Sequence, residues 1–131
     1  MARRLVVLFD GTWNKVETNT NVERLHGLIA PADAAGVAQL ALYIPGVGVK
    51  PDIEHLLGGA FGLGLSGNIE QGYRWLCQQW NDGDEFFLFG FSRGAYSARS
   101  AAGMIRKCGL LKADVTGDVS QHAVDDAYDF Y

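Results

Sequence analysis

The residues best suited to chemistry are Gly90-Phe91-Ser92-Arg93-Gly94, which fit the pattern G-x-S-x-G. A serine hydroxyl acts as a nucleophile when a sharp turn exposes it and a neighbouring base removes its proton. Glycine on either side of such a turn lets two backbone segments approach closely, since a side chain there would clash. The pattern therefore predicts Ser92 as a nucleophile, with Gly90 and Gly94 shaping the turn that carries it.

The elements that must position this serine are a strand before it and a helix after it. Residues 85–91 are apolar on both faces, as in a central parallel strand covered by helices. Small and apolar residues then recur at helical spacing, and basic residues with a glycine predict the helix end. These positions are Ala95, Ala98, Ala102, Ile105, Arg106, Lys107 and Gly109. The context predicts the nucleophile elbow of α/β-hydrolases and disfavours a serine that merely caps a helix.

Two further strand–helix units precede the elbow. Apolar runs predict strands at residues 5–9 and 40–44. Thr20 and Glu23 fit a capping box at a helix start, and the glycine-rich residues 58–67 open a second helix. The buried positions predicted for the two helices are Val22, Leu25, Leu28 and Ile29, then Ile69, Tyr73, Leu76 and Trp80. Alternating strands and helices predict an α/β fold: a three-layer parallel sheet with helices on both faces.

The residues after 112 differ in character from those before. They are acidic, and Ser120 begins a helical pattern that places Val124, Ala127, Tyr128 and Tyr131 on one side. We therefore expect an incomplete α/β-hydrolase-like domain over residues 1–112. Residues 113–131 would form an acidic tail or the start of a truncated helical segment, and the aromatic residues at the end favour the front part of a longer protein.

Composition excludes several classes of function. The net charge of −4 argues against nucleic acid as a partner, because no basic stripe could neutralise phosphates. Cys77 and Cys108 are predicted to be buried, reduced thiols.

The apolar run after Arg3 and Arg4 is shorter than the roughly seven residues of a signal peptide, and no run reaches the roughly 20 that span a bilayer. We expect a soluble cytoplasmic protein; export without a cleavable signal is also open.

Two other site patterns occur in the sequence. The first pattern is Asp10-Gly11-Thr12 after a strand, which is similar to the D-x-D-G-T motif of haloacid dehalogenase-type phosphatases. The position of their attacking aspartate is occupied here by Leu8, which has no nucleophile. Residues 62–67 match G-x-G-x-x-G, yet no predicted strand precedes them and the acids that follow begin the next strand, so dinucleotide binding is disfavoured. We interpret this segment as a loop close beneath the site, or a hinge. No cofactor and no metal site are predicted.

Several motifs in order connect the chain with a known family. They occupy residues 10–14, 20–22, 45–48, 59–62 and 90–95. By these the chain resembles, from residue 3 to about 111, an α/β-hydrolase domain of unassigned function that also forms the catalytic part of type VI secretion phospholipase effectors. The resemblance implies a serine hydrolase acting on carboxylic esters, phospholipids among them. Ser92 matches the family nucleophile, and Asp10-Gly11-Thr12 lies where an oxyanion-binding loop is expected.

This resemblance suggests a mechanism at the carboxyl ends of the strands, where sites of parallel sheets lie. Ser92 would attack an ester carbonyl. The amide of Arg93, together with that of Gly11 or Thr12, would hold the oxyanion. Asp10 is expected to hold the first loop through its carboxylate and to take no part in proton transfer.

The base that would activate Ser92 is harder to identify. In α/β-hydrolases the acid and then the histidine follow the serine. His26 and His55 precede Ser92, which leaves His122 as a weak candidate, with Asp114 or Asp118 before it. No further predicted strand holds His122, so we expect the base and acid to lie in polypeptide absent here.

Three functional interpretations follow, of which an enzyme or nucleotide binder of another class is the least favoured. The first is a lipase-like or phospholipase-like serine esterase whose substrate is a small-molecule or lipid ester. The alternative is a non-catalytic, truncated α/β module or a binding partner for another chain. Because a short open sheet has exposed edges, self-association through such an edge is also expected.

Overall fold

The computed structural model describes residues 2–11, 19–46 and 60–131, without the side chains of residues 60–63. These residues form three strands, β1 (Arg4–Phe9), β2 (Gln39–Ile44) and β3 (Glu85–Gly90). They also form four helices, α1 (Asn21–Leu28), α2 (Ala60–Gln79), α3 (Arg93–Cys108) and α4 (Gln121–Phe130). Strands and helices alternate up to α3, which confirms the predicted α/β class. In this part of the chain no helix is long and apolar enough to cross a membrane.

The sheet is parallel, with strand order β2-β1-β3. Phe9 at the end of β1 lies beside Ile44 of β2 and Gly90 of β3. The carboxyl ends of the strands are therefore level. The residues that follow, Asp10 and Phe91 among them, meet at a single edge of the sheet.

The position of β3 corrects one expectation, since this strand lies at the edge of the described sheet and not at its centre. The central strand is β1, which pairs with both neighbours and is buried from Leu5 to Phe9. Phe86 and Leu88 of β3 pack against the main core, whereas Phe87 and Phe89 are each 39% exposed. The apolar pattern of β3 thus reflects a strand with one face left uncovered by the described residues.

The hydrophobic core has two parts, one on each face of β1. Leu5, Val7 and Phe9 face one side, where they join a cluster with buried residues of the three helices α2, α3 and α4. Val6 and Leu8 face the other side and pack with α1. The alternation follows from the two-residue repeat of a strand. Leu8 is therefore a core residue, fully buried.

Helix α1 begins with a variant of the predicted capping box. The Thr20 hydroxyl accepts a hydrogen bond from the Glu23 amide at 3.1 Å, but the Glu23 carboxylate accepts from the amide of Asn19 and not from that of Thr20. Val22 is buried as predicted, whereas Leu28 is 81% exposed. Leu28 lies about 120° around the helix from Val22 at 100° per residue, so the prediction for it was wrong.

Helix α2 changes the interpretation of the glycine-rich segment. Residues 60–67 are helical, so the expected loop or hinge is wrong for them. The predicted apolar face is correct at Ile69, Tyr73 and Leu76, which are at most 1% exposed. Gly72 was not singled out by the pattern, yet a Cβ there would lie 2.6 Å from Cζ of Phe9. This glycine lets α2 approach β1 closely.

Helices α3 and α4 each bury one face in the main core. On α3, Ala98, Ala101 and Met104 belong to the main core, whereas Ala102 is exposed. α4 begins after its cap Ser120, as predicted, and buries Val124. Cys77 is buried and Cys108 partly buried, and both are free thiols, which agrees with the expectation for the cysteines.

Candidate functional site

The turn between β3 and α3 places Ser92 in an unusual backbone conformation. Its φ is 55° and its ψ is −124°, and Asn19 is the other non-glycine residue with positive φ in the described part of the chain. Such a conformation costs about 1–3 kcal/mol and persists where surrounding structure imposes it. The Phe91 amide donates to the carbonyl of Phe9 at 3.1 Å, and the Ala95 amide donates to that of Ser92 at 3.0 Å. The exposed Ser92 is therefore held at the tip of a sharp turn.

Two glycines allow this turn to lie against the rest of the sheet. A Cβ on Gly90 would lie 2.6 Å from the Cα of Ala95. A Cβ on Gly94 would lie 2.6 Å from the carbonyl oxygen of Asp10 and closer still to that of Phe9. Both contacts involve backbone, which cannot rotate away. The first turn of α3 can therefore touch the end of β1 only because residue 94 has no side chain.

The buried carboxylate of Asp10 organises the end of β1. Its Oδ1 accepts a hydrogen bond from the Gly11 amide at 2.7 Å. Its Oδ2 accepts from the hydroxyls of Thr20 and Tyr43, each at 2.6 Å. Because Thr20 also caps α1, Asp10 connects the central strand, the start of α1 and the end of β2.

Tyr43 was not singled out by sequence reasoning, although a tyrosine near the end of a strand is well placed to reach a carboxylate after the neighbouring strand. Burial, followed by the hydrogen bond to Asp10, raises the pKa of the Tyr43 phenol well above its ordinary value. The phenol therefore stays protonated and keeps donating to Asp10. Its ring centroid also lies 5.6 Å from that of His26.

The predicted oxyanion donors are the backbone amides of Arg93, Gly11 and Thr12. Arg93 is the first residue of α3, where amides point out of the helix at its N-terminus. Gly11 is buried, and its amide donates to Asp10. Thr12, the other predicted donor, lies outside the described residues. Because the Gly11 amide already donates to Asp10, it is less suitable than the Thr12 amide as the second oxyanion donor.

A groove of about 660 Å³ begins at Ser92 and follows α3. Small side chains and two tyrosines contribute to it, and the lining residues are Ser92, Ala95, Tyr96, Arg99, Ser100 and Tyr131. Tyr131 follows α4 and lies over Gly103, where a Cβ would be 2.7 Å from its hydroxyl oxygen. The i+3, i+4 and i+7 spacing from Ser92 is the sequence signal that places Ala95, Tyr96 and Arg99 on the same helical face.

His122 and its predicted partners do not come together. The His122 side chain is 86% exposed, and its Nδ1 lies 3.4 Å from Oδ1 of Asp126, one turn further along α4. Asp114 instead accepts from the amide and hydroxyl of Thr116, and Asp118 pairs with Arg74 at 3.0 Å. Within the described residues no histidine lines the groove beside Ser92, and His55 lies outside them.

Comparison with known proteins gives two findings. The family model described as T6SS, phospholipase effector Tle1-like, catalytic domain matches residues 3–131. A protein of Saccharomyces cerevisiae described as uncharacterized protein YEL023C is 31% identical over 125 residues, which cover 83% of this chain and 18% of the yeast protein. The chain therefore spans about a fifth of that relative's length. No solved structure shows significant similarity to the chain.

Proposed function

We propose that this chain, which belongs to the family of T6SS phospholipase effectors of the Tle1-like type through their catalytic domain, is a serine hydrolase of carboxylic esters of lipids. The family supports lipid hydrolysis in general terms. The observation that carries the serine mechanism is the exposed Ser92, held at positive φ on a strand-to-helix turn. A strained, exposed serine at this point of a parallel sheet has the geometry of a nucleophile.

In the proposed reaction, Oγ of Ser92 attacks the ester carbonyl carbon while a base takes the hydroxyl proton. The resulting tetrahedral oxyanion collapses and breaks the bond to the alcohol oxygen, which leaves with the proton from the base. Water then attacks the acyl-serine by the same route and releases the carboxylic acid. Serine is regenerated, so atoms and protons balance.

The oxyanion is proposed to bind the amide of Arg93 and a second amide from the loop after β1. Because Gly11 donates to Asp10, we favour the amide of Thr12 for the second position. A preorganised donor of this kind contributes roughly 3–4 kcal/mol to transition-state stabilisation. Asp10 is proposed to hold this loop in place through Thr20 and Tyr43, with no role in proton transfer.

The base and its carboxylate are proposed to come from polypeptide outside residues 1–131. The support is the position of His122, which is exposed and beside Asp126. The sheet and its helices would then be the N-terminal portion of a three-layer α/β-hydrolase fold. Residues 1–131 alone should hydrolyse esters about 10²–10⁴-fold more slowly than a protein that supplies the base, the usual contribution of acid–base catalysis.

The uncovered face of β3 favours a second role as a binding surface. Phe87 and Phe89 line an apolar groove of about 370 Å³ together with Leu25 and Ile29 of the α1 region. β3 also has one edge without a partner strand among the described residues. Because unpaired strand edges readily accept another strand, we propose that residues 1–131 self-associate there. This is also the surface that a non-catalytic module would use.

The enzymatic proposal is tested by hydrolysis of a short-chain phosphatidylcholine by the full-length protein, with release of fatty acid as the readout. Ser92→Ala should reduce the rate by at least about 10³-fold, since nucleophile removal leaves only binding and oxyanion effects. Ser66→Ala is the matched control, because this serine of α2 does not line the groove and its substitution should leave the rate within about twofold. Equal rates for Ser92→Ala and the unmodified protein would contradict the proposal.

A further inference from the structure

Arg99 has no carboxylate partner among the described residues, in contrast to Arg3 and Arg74. Arg3 pairs with Asp84 at 2.7 Å, and Arg74 pairs with Asp118 at 3.0 Å. Arg99 is exposed, and its side chain makes no hydrogen bond or ion pair within the described part of the chain. Unlike Arg106 at the end of the same helix, it also lines the groove that begins at Ser92.

The helix sets how far this charge lies from the nucleophile. Arg99 follows Ser92 by two turns, so its Cα lies about 10 Å further along the axis at 1.5 Å per residue. Helical side chains lean toward the N-terminus of their helix, which brings the guanidinium back toward Ser92. The carbonyl carbon and the phosphorus of a phosphoglyceride are separated by roughly 5–7 Å, given covalent bonds near 1.5 Å. The axial separation of Ser92 and Arg99, shortened by the lean of the Arg99 side chain toward Ser92, is compatible with the distance between the carbonyl carbon and the phosphorus.

The rest of the groove suits the uncharged part of such a molecule. Ala95 and Ser100 are small, and the rings of Tyr96 and Tyr131 are 62% and 43% exposed. Exposed aromatic rings beside a small-residue floor can contact glyceryl and acyl groups and leave water on the other side. The groove therefore has the proposed nucleophile at one end, small and aromatic side chains along its length, and a cation two helical turns further along α3.

We propose that Arg99 binds the phosphate of the substrate headgroup and so makes the site selective for phosphoglycerides over neutral acylglycerols. This assignment rests on the proposed reaction at Ser92, for which it specifies the substrate. Guanidinium is suited to the role because its planar N–H groups can donate two parallel hydrogen bonds to two phosphate oxygens. Since Arg99 is exposed, water and salt screen the interaction. We expect a modest, salt-dependent preference of about tenfold.

The test is binding to full-length protein carrying Ser92→Ala, which prevents turnover. The probe is dihexanoylphosphatidylcholine below its micelle-forming concentration, and dihexanoylglycerol serves as the neutral comparison. Adding Arg99→Gln should weaken phosphatidylcholine binding about tenfold and leave dihexanoylglycerol binding unchanged. Arg106→Gln, the matched control on the same helix, should change neither. The effect of Arg99→Gln should shrink when salt is raised, because the screening length shortens.

Four outcomes would overturn the assignment. One is equal phosphatidylcholine affinity with and without Arg99→Gln, and another is no detectable phosphatidylcholine binding by the Ser92→Ala protein. The third is inorganic phosphate binding as tightly as the phospholipid, which would indicate a simple anion site. An equal loss for both dihexanoyl lipids would assign Arg99 to groove structure instead and would also contradict the proposal. Failure of the nucleophile is seen separately, as unchanged hydrolysis in Ser92→Ala.

Discussion

The hydroxyl of Tyr43 on β2 donates a 2.6 Å hydrogen bond to the buried carboxylate of Asp10, the first residue after β1. This bond connects two neighbouring strands at the edge of the sheet that carries Ser92. The same carboxylate accepts from Thr20 at the start of α1. The end of β1, which lies against Gly94 in the first turn of α3, is thus anchored by a buried charge.

Removing the Tyr43 hydroxyl should destabilise the protein. Tyr43→Phe deletes one donor to a buried carboxylate, and a hydrogen bond to a charged group contributes about 1.5–3 kcal/mol. The measurement is the free energy of unfolding by urea denaturation. Tyr96→Phe is the control, because Tyr96 is 62% exposed. This substitution should change the free energy of unfolding by no more than about 0.5 kcal/mol. Equal stability of both variants would show that the bond to Asp10 does not stabilise the end of β1.

Adding one methyl group at Gly94 should push α3 away from the end of β1. Because the new Cβ would meet the backbone of Phe9 and Asp10, Gly94→Ala should cost at least about 2 kcal/mol of stability. Gly67→Ala is the matched control: this exposed glycine of α2 has no atom near its Cβ position, and alanine there should stabilise the helix by about 0.5–1 kcal/mol. Chemical denaturation of the two variants should therefore show opposite signs, and a stable Gly94→Ala protein would contradict the close approach.

The ion pair between Arg3 and Asp84 should make stability depend on pH in the acid range. Hydrogen bonding from Arg3 is the largest cause that lowers the pKa of the Asp84 carboxyl, from 3.8 to about 2. Since the folded pKa lies below the unfolded one, the stabilisation is present above about pH 4 and is lost as the pH falls toward 2. Asp84→Asn should be less stable at neutral pH and should lose less stability over that interval.

The control for this pH effect is Asp82→Asn, an exposed aspartate in the same turn. The Asp82→Asn variant should keep the steeper wild-type loss of stability between pH 4 and 2. The measurement is thermal unfolding at each pH. A wild-type curve parallel to that of Asp84→Asn would mean that the ion pair does not contribute.

The uncovered face of β3 should cause residues 1–131 to associate. Phe87→Lys together with Phe89→Lys places charge on the exposed face and should shift the elution of the chain in size-exclusion chromatography toward the monomer. Leu28→Lys, at another exposed apolar residue, should leave the elution unchanged. Unmodified residues 1–131 eluting as a stable monomer would contradict the proposed self-association.

Local patterns predicted the strands, the start of α1 and the start of α4, because alternation of apolar residues and capping side chains act over a few residues. They did not predict that β3 lies at the edge, since strand order depends on pairing between distant segments. They also did not predict the buried face of α3, where alanine, serine and glycine occupy half of the positions. Such small side chains give little indication of which face is buried.

The candidate site was predicted from sequence where its chemistry is local and missed where it depends on distant contacts. G-x-S-x-G indicated Ser92 because the glycines and serine act within one turn. The bond from Tyr43 to Asp10 joins residues of different strands, so no short motif reports it. Tyr131 reaches the groove only because α4 packs back along α3, with Gly103 leaving room for its ring.

The most direct test of the serine mechanism is reaction of the full-length protein with a fluorophosphonate probe, followed by peptide mapping of the phosphonylated residue. We predict a single adduct, on Ser92, which is lost in Ser92→Ala and kept in Ser100→Ala. An adduct on another residue, or equal labelling of Ser92→Ala and the unmodified protein, would contradict the assignment of Ser92 as the nucleophile.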